Sequence, residues 1–443
     1  MLLSVLLSPH PRGRITAMPD ATTTAASPKR RWYQYSLRTL LIFMTIAGCG
    51  LAWVGMVVCA GFVLAQDTAA PKPAAKAGGE PEVLDSTSTK TVRSERLISN
   101  ALDWLARHQN PNGSWSFHDF SKQCKDKSCT GPGTAVSETT ATALGVLPFL
   151  AAHQGPTSKG PYQQQVQKAI EFLIAAQDRT VNVGNLGGEA KQSSPLDAHG
   201  LATMALCNAY GLTEDKRIGE AAQKAVDFIV ASQDRTTGGW RCDTSKEEDT
   251  SVLGWRVSAL NDAKLAGLAV PESTWAGATK WLRSCAHGDH GELFSSTPAG
   301  SPTPSMTAVG LLSRQRIGDA KRDDPFLNAS VEYLVKHLPD AKEHDIYYWY
   351  FATYAMHNVP GPEWDTWNRQ MRKQFVTTQV KEGCAAGSWD PEQPEKDKFG
   401  EIGGRLMVTS LSCLTLSVYN ERRHMFYVPS DPPLSEQPAD KKQ

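Results

Sequence analysis

The spacing of apolar and polar residues along residues 92–428 predicts two kinds of α-helix. In the first kind the apolar residues form a single stripe, as Val166, Ile170 and Ile174 do at successive helical turns between polar neighbours. Such a stripe predicts an outer helix with one buried face. Six segments have it, the last three more weakly: Ser94–Gln109, Gln164–Gln177, Ile218–Gln233, Ser273–Ser284, Leu327–Leu338 and Trp364–Gln379.

The second kind of helix follows each of the first after a turn and is apolar nearly all round, with Ala, Thr, Ser and Gly among large apolar residues. This composition predicts an inner helix packed on both sides. The segments are Glu138–Ala152, Ala198–Tyr210, Ser251–Leu265, Ser305–Arg316, Tyr347–His357 and Leu406–Tyr419. Six helical hairpins in succession predict an all-α (α/α)6 toroid, with a linear solenoid as the alternative. We expect the closed ring, because six is the number of repeats that closes it.

Several turns between these helices share Gln, Gly and Trp: Gln109, Gly113 and Trp115; Gln233, Gly238 and Trp240; and Gly387 and Trp389. Gly187 lies in a further turn that lacks the Trp. Glycine permits the positive φ that ends a helix, and a Gln amide can hydrogen-bond a helix end. The pattern resembles the QW motif of squalene and hopene cyclases, related to the repeats of protein prenyltransferase β subunits. The resemblance covers residues 92–428 and implies that fold, but no activity, because QW motifs are structural.

The N-terminal part of the chain predicts a membrane segment. Leu40–Ala65 is an uncharged apolar run, and about twenty helical residues suffice to cross the hydrocarbon core. Lys29, Arg30, Arg31 and Arg38 precede it, which places the N-terminus in the cytoplasm and the toroid outside. A secretory signal peptide is the alternative, and its cleavage would release the toroid.

Composition and charge complete the expected organisation. The formal net charge is zero, so no broad basic field predicts nucleic acid binding. The partners we expect are the membrane, through the single-pass anchor, and an isoprenoid or other lipid or an envelope protein. The segments rich in Ala, Pro and small polar residues predict flexible chain. The expected order is a cytoplasmic segment 1–38, a membrane helix or signal sequence 39–65, a stalk 66–91, the toroid 92–428 and a disordered tail 429–443.

An acidic cluster precedes the third inner helix and is the first candidate for chemistry. It is similar to the Asp-x-Asp-Asp-Thr motif of hopene cyclases, whose middle Asp protonates a double bond or epoxide. The resemblance puts Glu248 at the proton donor's position and Asp249 at the final Asp, and Lys246 departs from the motif. We therefore take Glu248 and Asp249 as the candidate catalytic residues. The alternative role for Asp249 is to cap the inner helix.

Aromatic residues of the inner helices are candidates for lining a central cavity, where cyclases stabilise cations through cation–π attraction. Core packing is the alternative for all of them. Asp197 and His199 open the second inner helix and would face the same mouth, with capping as the alternative for Asp197. The full set of expected cavity-lining residues is Trp255, Tyr347, Tyr348, Trp349, Asp197 and His199.

Metal and cysteine chemistry is predicted only weakly. In the resemblance, Ser251 and Tyr348 replace the Cys and His of the prenyltransferase zinc site, which argues against prenyl transfer. We expect no cofactor and no metal, with a weak candidate in His287, Asp289 and His290. Cys124 and Cys129 can form a disulfide or hold a metal, and an oxidising compartment favours the disulfide.

The incomplete catalytic motifs on an intact repeat pattern favour a non-catalytic binding or scaffold module outside the cytoplasm. Two enzymatic alternatives remain open. One is a terpene-cyclase-like isomerase that uses an acidic residue at 247–249 on an isoprenoid. The other is a polysaccharide-active (α/α)6 enzyme, which requires two opposed carboxylates about 5 to 10 Å apart.

Overall fold

A computed structural model of the chain describes residues 87–187, 196–241 and 247–420. The predicted membrane segment, nearly all of the stalk and the tail from 429 lie outside the described residues. Within the described residues twelve α-helices alternate between an outer and an inner layer, which confirms each helix predicted from the apolar pattern. The first helix begins at Thr87, inside the segment that was predicted to be stalk.

The outer helices each bury one stripe and expose the other side. Along Gln163–Ala176 the buried residues are spaced as the sequence predicts, with Val166, Ile170 and Leu173 almost fully buried. In chain order the outer helices are α1 (Thr87–Arg107), α3 (Gln163–Ala176), α5 (Lys216–Ala231), α7 (Glu272–Ser284), α9 (Pro325–Val335) and α11 (Pro362–Thr378).

The inner helices are buried nearly all round, as their small and apolar residues predict. They are α2 (Glu138–Ala151), α4 (Ala198–Thr213), α6 (Thr250–Leu265), α8 (Pro304–Ile317), α10 (Ile346–His357) and α12 (Gly400–Leu416). Side chains of the preceding residues cap the first five, and the capping residues are Ser137, Asp197, Asp249, Thr303 and Asp345. The predicted start of α12 was six residues late, because Gly404 introduces a kink at φ +57° inside the helix.

The inner helices form a closed ring rather than a linear solenoid. Each inner helix packs on the next one in the chain, and α12 packs back on α2. Backbone hydrogen bonds support this closure, since Arg405 N donates to Gly131 O at 2.7 Å and Thr134 N donates to Glu401 O at 2.9 Å. The first and last repeats therefore meet at a seam, which also includes contact between α1 and α12.

The turns with Gln, Gly and Trp join neighbouring repeats. Gln109 Nε2 donates to Gly113 O in its own turn at 2.9 Å and to Gln165 O of α3 at 2.8 Å. Trp115 Nε1 donates to Leu105 O at 2.9 Å, which pins the turn to the helix it follows. The amide thus connects a turn to the first part of the next outer helix, instead of the end of its own helix.

The second turn corrects a sequence assignment. Gly184, and not Gly187, has the positive φ, at +93°, and its α-carbon lies against Lys224 O of the next outer helix. Leu186 occupies the place of the Trp, since its backbone N–H donates to His199 at the position where Trp115 N–H donates to Thr142. The turn therefore follows the same design with a smaller apolar residue.

Two smaller features complete the description. A short antiparallel hairpin, β1 (Ala286–His287) and β2 (Leu293–Phe294), takes the place of the turn after α7. Among the described residues, Gly400–Tyr419 is the one helix long and apolar enough to cross a membrane. It is 89% buried within the protein, as befits the last inner helix of the ring.

Candidate functional site

The carboxylates of the acidic cluster before α6 form an ion pair and a helix cap. Glu248 forms an ion pair with Arg241, at 3.0 Å between Oε1 and Nε, in a small bridge between residues 241 and 248. Asp249 accepts a hydrogen bond from Ser251 N and caps α6, which is the alternative that the sequence offered. The catalytic role predicted for Glu248 and Asp249 stays a prediction.

Asp197 and His199 are both placed by the packing of α4. Asp197 is fully buried and pairs with the nearly buried Arg256 of α6 at 3.0 Å, while it also caps α4. His199 Nε2 lies 3.0 Å from Ala225 O of outer helix α5, and its ring packs edge-on against Phe228 of α5. His199 therefore faces the outer layer rather than the ring's interior, because its two ring nitrogens satisfy a turn and an outer helix.

Aromatic side chains cross the interior of the ring. Trp255 of α6 packs against Tyr347, Tyr350 and Phe351 of α10, with ring centroids 4.8 to 6.0 Å apart. Because α8 lies between α6 and α10 in the ring, these contacts reach across its inside. Trp255 and Tyr347 are fully buried there.

The neighbouring aromatic residues of α10 correct the expected cavity lining. Tyr348 packs edge-on against Trp367 of α11, and Trp349 packs against Phe375 of the same outer helix. A helix directs successive residues to different sides, so these two lie in the layer between the inner and outer helices. Of the four aromatic candidates, Trp255 and Tyr347 are the two that point to the interior.

The hydroxyl of Tyr347 is buried without a hydrogen-bond partner. Burial raises the pKa of this phenol well above its ordinary value, and the carboxylates of Asp249 and Asp345 raise it further. Asp345 caps α10 and accepts hydrogen bonds from Ser305 at 2.9 Å and from Lys398 at 3.2 Å. The N-terminal ends of α6 and α10 thus carry the carboxylates that act on this phenol.

The compact His and acid cluster after α7 does not gather into a ligand set. His287 Nε2 lies 2.9 Å from Ser295 Oγ across the hairpin, and Glu292 accepts from His290 N at 2.9 Å. Among the described residues, one group of His, Cys or acidic side chains has ligand atoms close enough for a metal ion, and it includes neither His287, Asp289 nor His290.

That group consists of His108, Cys124, Cys129 and Cys384, and we call it the Cys3His cluster. Its four ligand atoms lie within 4.8 Å of one another. Cys124 and Cys129 are free thiols in the structure, and the disulfide between them stays a prediction. The Cys124 thiol donates to Asp126 Oδ1 at 3.1 Å, and the Cys129 sulfur lies 3.4 Å from His108 Nε2.

The elements that carry the Cys3His cluster come from opposite ends of the fold. His108 follows the last turn of α1, and Cys124 and Cys129 lie in the loop between α1 and α2. Cys384 lies in the turn after α11, 276 residues beyond His108. The sequence showed only the Cys124 and Cys129 spacing, because the partners that complete the set are distant along the chain.

The surroundings of His108 fix its ring. Its Nδ1 lies 2.7 Å from Trp104 O, so this nitrogen carries the proton and Nε2 keeps a free lone pair. Trp104 stacks on the imidazole at 4.3 Å, and Phe120 contacts its edge. Burial lowers the pKa of His108, which keeps the ring neutral. Burial, together with the neighbouring thiols, raises the pKa of Cys129 to about 12.

Comparison with known proteins identifies the fold. No protein-family model and no curated protein matches this chain. A type II terpene cyclase from Scytonema, solved with geranylgeranyl dihydroxybenzoate, is similar with a TM-score of 0.51 and 14% identity over 76% of this chain and 99% of that one. An α-1,6-mannanase from Salegentibacter is similar with a TM-score of 0.50 and 10% identity over 75% of this chain and 98% of that one.

Both of these enzymes have an (α/α)6 toroid, so the chain belongs to this fold class. Their reactions differ, since one is a terpene cyclase and the other a mannanase. At such identities the likeness concerns the fold, and function has to be argued from the residues of this chain.

Proposed function

We propose that this chain is a non-catalytic toroidal binding module, tethered to a membrane by Leu40–Ala65 with the toroid outside the cytoplasm. The observation that carries the proposal is the aromatic packing of Trp255 with Tyr347, Tyr350 and Phe351 across the ring. These rings are buried against one another, whereas an enzyme of this fold needs that interior for its substrate.

The acidic residues support the same proposal. A cyclase requires a carboxyl group that carries a proton and is aimed at the substrate. Glu248 is engaged by Arg241, and Asp249 accepts from the backbone of the helix that it caps. Asp197 is likewise held by Arg256 in the core. Each of these carboxylates therefore has a structural task that explains its presence.

The ligand or partner of such a module is an isoprenoid or other lipid, or another protein of the envelope. Membrane tethering brings the toroid close to either. Native mass spectrometry of the purified chain tests the binding role, and we expect a co-purifying lipid or protein that leaves the chain chemically unchanged. Cyclisation of an added isoprenoid, abolished by Asp249→Asn, would overturn the proposal.

The membrane placement has its own test. A retained anchor keeps the full-length chain in the membrane fraction after alkaline extraction, and protease added outside the cytoplasm then digests the toroid. A shorter chain in the soluble fraction would favour the signal peptide instead.

An enzyme is the second candidate, and the unpartnered Tyr347 hydroxyl favours it. Buried polar groups are nearly always hydrogen-bonded, so an orphan phenol near Asp249 and Asp345 suits a substrate hydroxyl. A polysaccharide-active enzyme would need Asp249 and Asp345 to lie on opposite sides of the bond that is cleaved.

The variant Tyr347→Phe separates the two candidates. It removes one hydroxyl without a partner, so the binding module should keep its stability and its ligand. Loss of turnover on an oligosaccharide or isoprenoid in Tyr347→Phe and Asp345→Asn, with folding intact by circular dichroism, would establish the enzyme. Absence of turnover by the unaltered chain on both substrate classes would exclude the enzymatic candidate.

A further inference from the structure

The Cys3His cluster has the dimensions of a tetrahedral metal site. With Zn–S of about 2.3 Å and Zn–N of about 2.1 Å, a tetrahedral ion separates sulfur from nitrogen by about 3.6 Å. In the structure, His108 Nε2 lies 3.4 Å from Cys129 Sγ and 3.7 Å from Cys384 Sγ. These two distances match the spacing of ligands around a central ion, and all four ligand atoms lie within 4.8 Å of one another.

We propose that His108, Cys124, Cys129 and Cys384 bind one structural Zn²⁺, which fastens the first repeat of the ring to the last. Three thiolates and one imidazole form a donor set that is typical of closed, four-coordinate zinc sites. Soft thiolates also disfavour the hard cations Mg²⁺ and Ca²⁺. With all four positions supplied by protein, the ion has no place for a substrate or water, so its role is structural.

The groups around the cluster suit a bound ion. A zinc-ligating His usually donates its other ring nitrogen to a carbonyl or carboxylate, and His108 Nδ1 is hydrogen-bonded to Trp104 O at 2.7 Å. This contact leaves Nε2 as the ligand atom. Trp104 and Phe120 cover the imidazole, so the site is shielded on that side.

Two arginines hold the chain segments that carry the thiols. Arg107 donates to the carbonyls of Cys384 and Ala386, at 3.4 and 3.0 Å, and so ties the last turn to the end of α1. Arg405 donates to Thr130 O at 2.7 Å, next to Cys129. Three thiolates on Zn²⁺ leave one net negative charge. Arg107 supplies a positive charge close to His108, whereas Arg405 is already paired with Asp390.

The position of the site explains what the ion would do. His108, Cys124 and Cys129 belong to the first repeat, and Cys384 belongs to the last, 276 residues beyond His108. A metal bond between them closes a loop of 276 residues, which includes nearly the whole ring. Because a preformed site is absent from the unfolded chain, the free energy of metal binding stabilises the folded, closed ring.

A disulfide is the competing chemistry for these residues. Three cysteine sulfurs can form at most one disulfide, which would leave the third thiol and the imidazole of His108 without a role in the cluster. The described cysteines are all free in the structure. Oxidation would also release two protons and two electrons to an oxidant, whereas zinc binding requires only loss of the thiol protons.

The test begins with the full chain, purified without added metal and without chelator. We expect one zinc per chain by elemental analysis, and X-ray absorption should give sulfur neighbours at about 2.3 Å with one nitrogen. Replacement of zinc by Co²⁺ should produce the thiolate-to-metal charge-transfer absorption of a tetrahedral site. A chain that binds neither metal, or a mass two hydrogens lower from a disulfide among the three cysteines, overturns the proposal.

Variants assign the ligands. Cys129→Ser and His108→Ala should lose zinc to a chelator that does not strip the unaltered chain. Cys285→Ser is the matched control, since Cys285 is a buried free thiol after outer helix α7 and lies outside the cluster. Equal zinc retention in Cys129→Ser and Cys285→Ser would contradict the assignment, and the Co²⁺ spectrum of the unaltered chain decides if either variant fails to fold.

Discussion

Gln379 donates its side-chain amide to the backbone carbonyl of Leu97, at 2.9 Å and across 282 residues of sequence. The same Nε2 donates to Gly387 O at 3.0 Å in its own turn. This pair of bonds is the one that Gln109 makes within the first two repeats. The last repeat therefore joins the first by the same contact that joins the first repeat to the second.

Four turns share this contact, and the glycine beside it is part of the design. Each amide reaches the next outer helix, from Gln109, Gln177, Gln233 and Gln379 to the carbonyls of Gln165, Ala221, Thr274 and Leu97. Each glycine of these turns lies against the backbone carbonyl three residues further along that helix. The pairs are Gly113 with Lys168, Gly184 with Lys224, Gly238 with Gly277 and Gly387 with Asn100. The glycine brings the turn close enough for the amide to reach.

We predict that Gly387→Ala destabilises the protein by about 2 kcal/mol or more. Gly387 has φ +94°, and a Cβ there would lie 2.1 Å from Asn100 O, which is backbone and cannot move freely. Gly383→Ala is the control in the same turn, because Gly383 has φ +72° with open space around it. Urea unfolding of both variants measures the difference, and equal losses would mean that φ alone, not the close approach at the seam, is responsible.

The buried pair of Asp197 and Arg256 yields a second prediction. Asp197→Ala should cost about 3 to 5 kcal/mol, because it leaves a guanidinium in the core without its carboxylate and removes the cap of α4. Glu171→Ala is the control, since Glu171 pairs with Arg217 on the surface. That change should be too small to resolve. A similar loss in both variants, measured by denaturant unfolding, would argue against the burial of the first pair.

Asp397 gives a third prediction, on pH. Burial raises its pKa to about 7, from about 3.9 in the unfolded chain. Between these values the folded state binds more protons than the unfolded state, so stability falls as pH rises from about 4 to about 7 and levels off above. We expect Asp397→Asn to remove this fall in stability. The measurement is the unfolding free energy of the unaltered protein and of the variant at each pH, and the difference between the two gives the contribution of Asp397.

His344 is the necessary control, because it titrates in the same range with the opposite sign. Burial lowers its pKa to about 4, so its contribution makes stability rise with pH up to about 6.5. Its Nδ1 lies 3.4 Å from Asp397 Oδ2 and has no hydrogen-bond partner. His344→Gln should steepen the fall instead of removing it. If both variants flatten the profile, the two groups form an ion pair.

Much of the fold was predictable because its information is local. An apolar stripe, a cap such as Asp249 and a turn glycine such as Gly238 act within a few residues of themselves, and these features predicted the helices correctly. Closure of the ring followed from the number of repeats. The contact of Gln379 with Leu97 was not predicted, since nothing near Gln379 indicates a partner 282 residues away.

The candidate site was harder to predict, because its contacts also join residues that are distant in the sequence. Periodicity showed that the residues of α10 are buried, but not that Tyr348 would face outer helix α11 while Tyr347 faces Trp255. The Cys3His cluster was not predicted, because the close spacing of Cys124 and Cys129 in the sequence indicated a disulfide or a metal site formed by these two residues. The third thiol, Cys384, lies in the last repeat, 276 residues beyond His108.

The filled interior gives a fourth prediction. Trp255→Ala should lower the unfolding free energy by about 3 to 5 kcal/mol, because it removes a fully buried ring that contacts three others. Trp364→Ala is the control, since Trp364 is a partly buried residue at the start of α11. If Trp255→Ala were as mild as the control, the interior would not be packed in solution, and the case for an enzyme with an open cavity would strengthen.

The last prediction concerns the seam itself. If a metal ion joins His108 to Cys384, a chelator should loosen the ring where the first and last repeats meet before it affects the opposite side. Amide hydrogen exchange should therefore accelerate in the turn at 380–389 and the end of α1, which Arg107 and Gln379 connect. Helices α5 and α6 lie in the third repeat and should keep their exchange rates at the same chelator concentration. Uniform acceleration would mean that metal loss unfolds the whole ring in one step, and unchanged rates everywhere would mean that the seam is held by its hydrogen bonds alone.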